Sequence, residues 1–337
     1  MRERTPYHQF KVNVSPYDSN GKLLPEVSAE PAGPVGSADR KVQAYNLRLC
    51  LTRDRNNQVP FPKPPNYDPR RYELLARLIE ATVKETGRPP KFGELANPIT
   101  LPGEKTDTNN NGPFSTDYIG KNWAYPEADY STRAKIWREH VEYTAGFLYF
   151  LAHDPRVPEP LHSEVNEWGL AKDEFTDTDH WPGQLYIREA RRMVGEYVMI
   201  QKDLQTDLTK PDPVGMGSYN SDSHNIQRIV TKDGFVMNEG DMQVPVKPYQ
   251  IPYRVMTPKR SEARNLLVPV CVSASHVAYS SLRMEPQYMI MGQAAGVAAS
   301  MAIKGRVAVQ EIDTSALTRA LVEQGAVMDY CNPGKAP

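Results

Sequence analysis

The sequence contains only three cysteines, Cys50, Cys271 and Cys331, among its 337 residues. Their odd number and wide spacing predict neither a disulfide framework nor a cysteine-based zinc site. Cys271 stands in an apolar run, where a free cysteine is usually a small core residue. The sequence also lacks an apolar run of about 18 residues and an apolar stretch near its start. It therefore predicts no membrane-spanning helix and no signal peptide.

An excess of either charge is also missing, since the formal net charge is −1 and the pI is about 6.7. This balance gives no general attraction to nucleic acid or to anionic membranes. Hydrophobic residues make up 39% and charged residues 24% of the chain, so it can form a sizeable core and is not disordered throughout.

Proline is abundant, with 30 residues that cluster in several segments. Long, conformationally fixed loops around a core fit this pattern better than a simple helical bundle. Residues 1–40 are rich in Pro, Gly, Ser and Asp and predict a surface loop. No helix or strand pattern precedes Val42, so we expect the chain to begin within a larger protein.

The first two thirds of the chain predict alternating elements. Val42–Leu51 reads as a half-buried strand, with Leu47, Leu49 and Leu51 on one face. Asp68-Pro69 starts a helix that Gly87 ends. Further predictions are helices over 130–152 and 163–170, strands over 184–200 (where a helical pattern is the alternative), and short strands and turns over 226–256.

The C-terminal third has a clearer pattern. Leu266–Val272 is nearly continuously apolar and predicts a strand buried on both faces. A helix follows from about Glu285 to Ile303. The last helix spans Thr314 to Gln324, with Asp313 as its N-cap and Gly325 just past its end.

The start of the Glu285 helix is a candidate anion site. Free N–H groups around Met284–Tyr288 would carry partial positive charge, and Arg283 would add a full charge. Small residues from Gly292 to Ala299 allow a neighbouring backbone to approach closely. The structural alternative is an ordinary helix packed tightly on a sheet.

Asp107–Gly112 matches the first half of a calcium loop, but Tyr118 stands where a bidentate Glu is required. A cluster of Asx-turns is the favoured interpretation, and no metal site is predicted.

Histidines supply the candidate bases. His276 follows the predicted buried strand, where sheet ligands usually bind, and His180 and His224 lie in polar segments. Each has a structural alternative as a hydrogen-bonded histidine. The basic run from Arg188 to Arg192 predicts paired charges on a half-exposed face, or a clamp for a substrate carboxylate. Aromatic residues between 118 and 150 favour a core over a sugar-stacking cleft.

Several motifs occur together in a recognisable order from about residue 5 to residue 330. They resemble a family of FAD-dependent oxidoreductases, whose members are mostly bacterial and in some cases labelled xanthan lyase-like. The motifs are Ala44–Leu51, Pro60–Tyr67, Lys105–Gly112, Tyr186–Arg192, Ile251–Arg254, Asn265–Val268, Ser273–His276, Ser281–Pro286 and Gly292–Ala299.

The resemblance implies a fold like that of glutathione reductase, FAD as cofactor, and hydride transfer between flavin and a small polar or sugar-like substrate. The residues expected to carry substrate chemistry are His276, Tyr253 and Arg254. Those expected to face the cofactor are Ser273, Ser275, Arg283, Met284, Glu285, Pro286, Gln287 and Gly292.

The chain departs from this family in one respect. Family members open with a Gly-x-Gly-x-x-Gly turn that holds the FAD pyrophosphate. The nearest match is Gly215-Met-Gly217, which lacks the third glycine and reads as a loop. The sequence therefore resembles the C-terminal part of a longer enzyme, and its expected partners are a small-molecule substrate and a missing N-terminal half or a second copy of the chain.

The expected fold class is mixed α/β. Residues 1–250 would form a substrate or cap domain, 251–305 the C-terminal strand–helix part of an FAD-binding domain, and 306–337 a closing helix and tail. The alternative function is a glycan- or ligand-binding fragment without redox chemistry. A lyase activity is suggested only by the labels of some relatives.

Overall fold

A computed structural model of the chain describes residues 7–34 and 36–330. It confirms the mixed α/β class. The α-helices are α1 Glu73–Thr86, α2 Tyr130–His153, α3 Glu159–Asn166, α4 Gln201–Gln205, α5 His276–Leu282, α6 Glu285–Gly305 and α7 Thr314–Glu323. The strands are β1 Leu51–Thr52, β2 Gln58–Val59, β3 Ala96–Leu101, β4 Lys105–Asn110, β5 Gly169–Ala171, β6 Pro213–Gly217, β7 Ser221–Ser223, β8 Gln227–Val230, β9 Val236–Glu239, β10 Met242–Val244 and β11 Tyr249–Pro252.

The chain forms two compact units. The first comprises the residues up to Arg188 together with His224–Met242, and the second comprises Glu189–Ser223 together with the residues from Gln243 onward. Residues 189–223 thus group with the C-terminal part of the chain. The division by role at residues 250 and 305 remains a prediction.

The first unit contains an antiparallel sheet with strand order β2-β5-β1-β4-β3. β3 and β4 form its longest pairing, from Ala96 opposite Asn110 to Leu101 opposite Lys105. The segment from Asp107 is therefore a strand followed by a turn at Gly112, and the interpretation as a cluster of Asx-turns is wrong. Within the described residues, no group of three or more His, Cys, Asp or Glu side chains could hold a metal.

The helices of the first unit begin and end largely where their caps predict. Asp68 accepts a hydrogen bond from the N–H of Arg70, a 3₁₀ turn leads into α1, and Gly87 ends α1 in the left-handed conformation. Asp129 caps α2. α3 starts earlier than the predicted 163–170 helix, because Pro158 and Pro160 favour a helix N-terminus there.

The aromatic side chains between residues 118 and 150 mostly form core, as predicted. The Tyr118 and Tyr143 rings stack with their centroids 4.3 Å apart, and Phe114, Phe147 and Phe150 have no exposed surface. Tyr130 is the exception, because 87% of it is exposed.

Val42–Leu51 is extended, but strand β1 includes only its last residue, with single bridges at Asn46 and Leu49. Leu47, Leu49 and Leu51 are buried as predicted. The segment 184–200 is neither helix nor regular strand, since only bridges at Tyr186 and Met199 pair it.

In the second unit, α6 packs against β6, which pairs antiparallel with β11. α6 and α7 occur where the sequence predicts them, and Asp313 caps α7. The interpretation of Gly215-Met-Gly217 as a loop is wrong, because these residues belong to β6. A Cβ on Gly215 would lie 2.4 Å from the Ile290 side chain, so this glycine allows helix α6 to approach the strand.

The predicted buried strand Leu266–Val272 does not form. The segment is irregular, and Leu266 and Val270 are 49% and 45% exposed. Pro269 removes a backbone donor from the middle of the run, which disfavours a central strand. Cys271 is half-buried instead of belonging to the core.

None of the helices formed by residues 7–34 and 36–330 has the length and apolarity needed to cross a membrane.

Candidate functional site

His276 is the first residue of α5 in the second unit. The side chain of Ser275 caps this helix by accepting a hydrogen bond from the N–H of Ala278, which fixes where the helix begins. The His276 ring contacts two polar side chains. Nδ1 lies 2.8 Å from Oε1 of Glu189, and Nε2 lies 2.9 Å from Oγ of Ser223. The His276 side chain is 22% exposed.

The side chains around His276 determine which of its ring nitrogens carries the proton. The Glu189 carboxylate is buried and also accepts a hydrogen bond from the guanidinium of Arg192. An ionised carboxylate only accepts hydrogen bonds, so the network assigns the proton to Nδ1 and leaves a lone pair on Nε2. A neutral imidazole held in this way can act as a general base.

Sequence reasoning selected His276 but not its partners. Glu189 lies within the basic run from Arg188 to Arg192, which predicts no separate role for it, and the polar segment around Ser223 gives no local signal. His180, a weaker candidate, lies in a tight turn, where its Nδ1 is 3.1 Å from the Glu174 carbonyl oxygen.

The start of α6 offers backbone donors. Met284 provides no side-chain cap, and the N–H groups of Glu285 and Gln287 have no carbonyl partner inside the helix. Glu285 and Pro286 are exposed. A Cβ on Gly292 would meet no atom within 4 Å, so this face of the helix is open.

Arg283 does not present a free charge at this helix start. Its guanidinium donates to the backbone oxygen of Asp222 and lies 3.2 Å from the Asp222 carboxylate. The Arg283 side chain is only 3% exposed. Arg283 therefore holds the chain near Asp222 in place, and its charge is balanced there.

The other side chains expected at the cofactor are engaged within the second unit. The Ser273 hydroxyl accepts from the N–H of Gly195 at 2.9 Å and donates to the carbonyl of Tyr197 at 2.6 Å. Gln287 is buried and points its amide toward the carbonyl of Ser281. The donors that remain at the start of α6 are therefore its backbone N–H groups, and their role in holding a cofactor stays a prediction.

Tyr253 and Arg254 have partners other than His276. The Tyr253 hydroxyl donates to the carbonyl of Val309 at 2.8 Å, and burial raises its pKa. The guanidinium of Arg254 lies over the Tyr197 ring and 3.8 Å from the Asp212 carboxylate. Burial raises the pKa of Asp212 even though Arg254 lowers it. The catalytic roles of Tyr253 and Arg254 remain predictions.

The first unit contains a separate polar network centred on Asp117. Its carboxylate lies 3.1 Å from Arg188 and 2.8 Å from Nδ1 of His224. Burial raises the pKa of Asp117, but Arg188 and then His224 outweigh this and lower it overall. Arg188 was expected on a half-exposed face, yet its side chain has no exposed surface because it bonds Asn109 and the Ala44 carbonyl.

The family model described as FAD dependent oxidoreductase matches residues 4–321. The chain belongs to this family, which makes it an oxidoreductase by class with FAD as its cofactor. The comparisons with curated proteins and with solved structures find no match.

Proposed function

We propose that the chain is the substrate- and flavin-facing part of an FAD-dependent oxidoreductase that acts on a small polar or sugar-like substrate. The observation that carries this proposal is the contact of His276 Nδ1 with the buried Glu189 carboxylate at 2.8 Å, which favours a proton on Nδ1 and a lone pair on Nε2. A base of this kind suits the oxidation of an alcohol, which must lose a proton from oxygen as well as a hydride from carbon.

Different residues of the second unit would contact the flavin and accept the substrate proton. Bound FAD supplies the acceptor for the hydride and its two electrons. The N–H groups of Glu285 and Gln287 would hold its pyrimidine edge, and Gly292 would allow close approach. Nε2 of His276 would take the proton from the substrate hydroxyl, which leaves a carbonyl on the substrate.

We infer that the pyrophosphate of FAD is held by a segment outside this chain. The closest match to a phosphate-binding turn, Gly215-Met-Gly217, forms strand β6 and packs against α6. A preceding segment of a longer chain or a separate partner would supply the missing turn.

A titration with flavins tests the proposal directly. We expect FAD and riboflavin to raise the unfolding temperature of the chain to a similar extent, because this chain would contact the ring and not the pyrophosphate. A much larger effect of FAD would contradict the inference that the pyrophosphate site lies elsewhere. If neither flavin changes the unfolding temperature or its own fluorescence, the chain does not form a flavin site.

A glycan-binding fragment is the second candidate, and one observation in the first unit favours it. A cavity of about 410 Å³ is lined by Tyr125, Tyr130, Arg133 and Trp137 among others. The Tyr130 side chain is exposed there, and an exposed aromatic ring beside an Arg suits stacking on a sugar ring. Calorimetric titration with oligosaccharides, repeated with Tyr130→Ala, distinguishes the two functions: binding lost in this variant, with no response to flavin, would favour the fragment.

A further inference from the structure

We propose that Glu189 and Ser223 are positioning residues that hold His276 in a single tautomer, with the proton on Nδ1 and the proton-accepting lone pair on Nε2. The use of this tautomer in substrate oxidation rests on the proposed function. The tautomer itself is a property of the chain without any ligand.

Glu189 fixes the Nδ1 side of the ring. Its side chain is 2% exposed, and the same oxygen, Oε1, faces both Nδ1 of His276 and the guanidinium of Arg192. Arg192 compensates the buried negative charge and so favours the ionised carboxylate. Because an ionised carboxylate only accepts hydrogen bonds, His276 can donate to Glu189 only when Nδ1 carries a proton.

Ser223 fixes the Nε2 side. Its hydroxyl can donate to the neutral ring, and it can accept from the ring once Nε2 has taken a proton. Ser223 has no exposed surface, so water does not replace it in either state. In the chain without substrate, both the neutral and the protonated ring can therefore satisfy the contact at 2.9 Å.

The proton transfer is balanced within this set of residues. For a substrate alcohol to reach Nε2, the Ser223 hydroxyl gives up its hydrogen bond to that nitrogen. The O–H bond of the alcohol then breaks, an N–H bond forms at Nε2, and the positive charge on His276 faces the Glu189 carboxylate. Bound FAD would accept the hydride, which carries both electrons. Glu189 acts through His276 and does not itself receive the proton.

A serine, a histidine and a carboxylate in this order also occur in hydrolases, where the serine attacks the substrate. The complete burial of Ser223 argues against that role, since an attacking hydroxyl must reach a carbonyl carbon. A fluorophosphonate probe is therefore expected to leave Ser223 unmodified. Covalent labelling of Ser223 would overturn its assignment as a positioning residue.

The direct test is NMR of the chain labelled with ¹⁵N-histidine. Two-bond couplings between ring protons and ring nitrogens identify the tautomer of each of the seven histidines, and loss of one signal set in His276→Gln assigns His276. At a pH where the ring is neutral, we expect His276 to carry its proton on Nδ1. A proton predominantly on Nε2 in the unmodified chain would overturn the proposal without need of a further variant.

Substitutions at Glu189 and at Ser223 test the role of each positioning residue in turn. Glu189→Ala is expected to lose the preference for Nδ1–H, and Glu189→Gln to retain it in part, because the amide oxygen still accepts. Ser223→Ala should keep the tautomer but shift the Nε2 signal. Glu196→Gln, a change at an exposed carboxylate of the same segment, is the matched control and should leave His276 unchanged. An unchanged His276 signal in folded Glu189→Ala would contradict the role of Glu189.

The outcomes also distinguish this inference from the proposed function. If the tautomer is as expected but no flavin binds, the positioning role stands and the oxidoreductase role of this chain fails. If flavin binds while His276 carries its proton on Nε2, the oxidoreductase role stands and the positioning role fails.

Discussion

Two polar networks of the molecule use the same kinds of side chain in opposite arrangements. In the first unit the hub is the acid Asp117, which Arg188 and His224 contact. In the second unit the hub is the base His276, which Glu189 and Ser223 contact. The chain passes between the units at Arg188–Glu189 and at Ser223–His224. In each of these pairs of sequence neighbours, one residue contacts Asp117 and the other contacts His276.

The exposure of the histidine separates the two networks. Both histidines contact a buried carboxylate, but the side chain of His224 is 6% exposed, whereas that of His276 is 22% exposed. A closed network of compensated charges holds a fold in one arrangement, while a partly exposed histidine ring can exchange a proton with a ligand. We therefore expect the Asp117 network to contribute to stability, and we propose the chemistry for the His276 network.

The largest expected effect is the loss of stability when the Asp117 network is disrupted. Asp117→Ala leaves the buried guanidinium of Arg188 without its carboxylate and should lower the free energy of unfolding by about 3–5 kcal/mol. Urea denaturation measures this. Asp107→Ala is the control, because the Asp107–Arg48 pair is partly exposed and its loss should cost about 1 kcal/mol or less. Equal losses of unfolding free energy in both variants would contradict the expectation that the buried pair contributes more than the partly exposed pair.

The second effect concerns pH. Burial lowers the pKa of His140, in the first unit, from 6.5 to about 4. The unfolded chain binds this proton at higher pH than the folded chain does, so the stabilisation is complete above about pH 6.5 and is lost as the pH falls toward 4. The total is on the order of 3 kcal/mol.

Denaturation curves from pH 7 to pH 4.5 should show this loss, and His140→Gln should remove most of it. Gln can still donate to the Ile136 carbonyl, which His140 contacts through Nδ1 at 2.7 Å, but it does not titrate. The same pH dependence in His140→Gln would assign the loss to other groups.

The smallest expected effect is a gain of stability instead of a loss. Gly292 lies within α6 with open space around its Cα, so Gly292→Ala should stabilise the free chain by about 0.5–1 kcal/mol. If a flavin approaches this backbone, the added methyl group should also weaken flavin binding. Thermal unfolding with and without riboflavin measures both changes, and stabilisation with unchanged binding would place the flavin away from Gly292.

The sequence predicts the helices well, because their ends have local signals. Asp68, Gly87 and Asp313 mark helix ends by capping or by a left-handed conformation, and each does so in the structure. The strands are less predictable, since their pairing partners are distant. Leu266–Val272 has the composition of a strand, but Pro269 interrupts it and its backbone groups bond elsewhere, as the N–H of Val268 does with Met256.

The candidate site is predictable only in part for the same reason. His276 stands out from its neighbours, whereas Glu189 and Ser223 lie 87 and 53 residues away along the chain. Only the fold brings these side chains together. The sequence predicts where α6 begins, but it does not show that Asp222 balances the charge of Arg283.

The most direct test applies one substitution to both networks. His224→Gln and His276→Gln are compared for the free energy of unfolding and for anaerobic flavin reduction by a panel of polyols and sugar acids, in the holoenzyme. We predict that His224→Gln lowers stability by about 1–3 kcal/mol and leaves the reduction rate of the folded protein unchanged. His276→Gln should lower that rate by at least about 100-fold and change stability by less than about 1 kcal/mol. Equal reduction rates in His276→Gln and the unmodified enzyme would contradict the assignment of chemistry to His276.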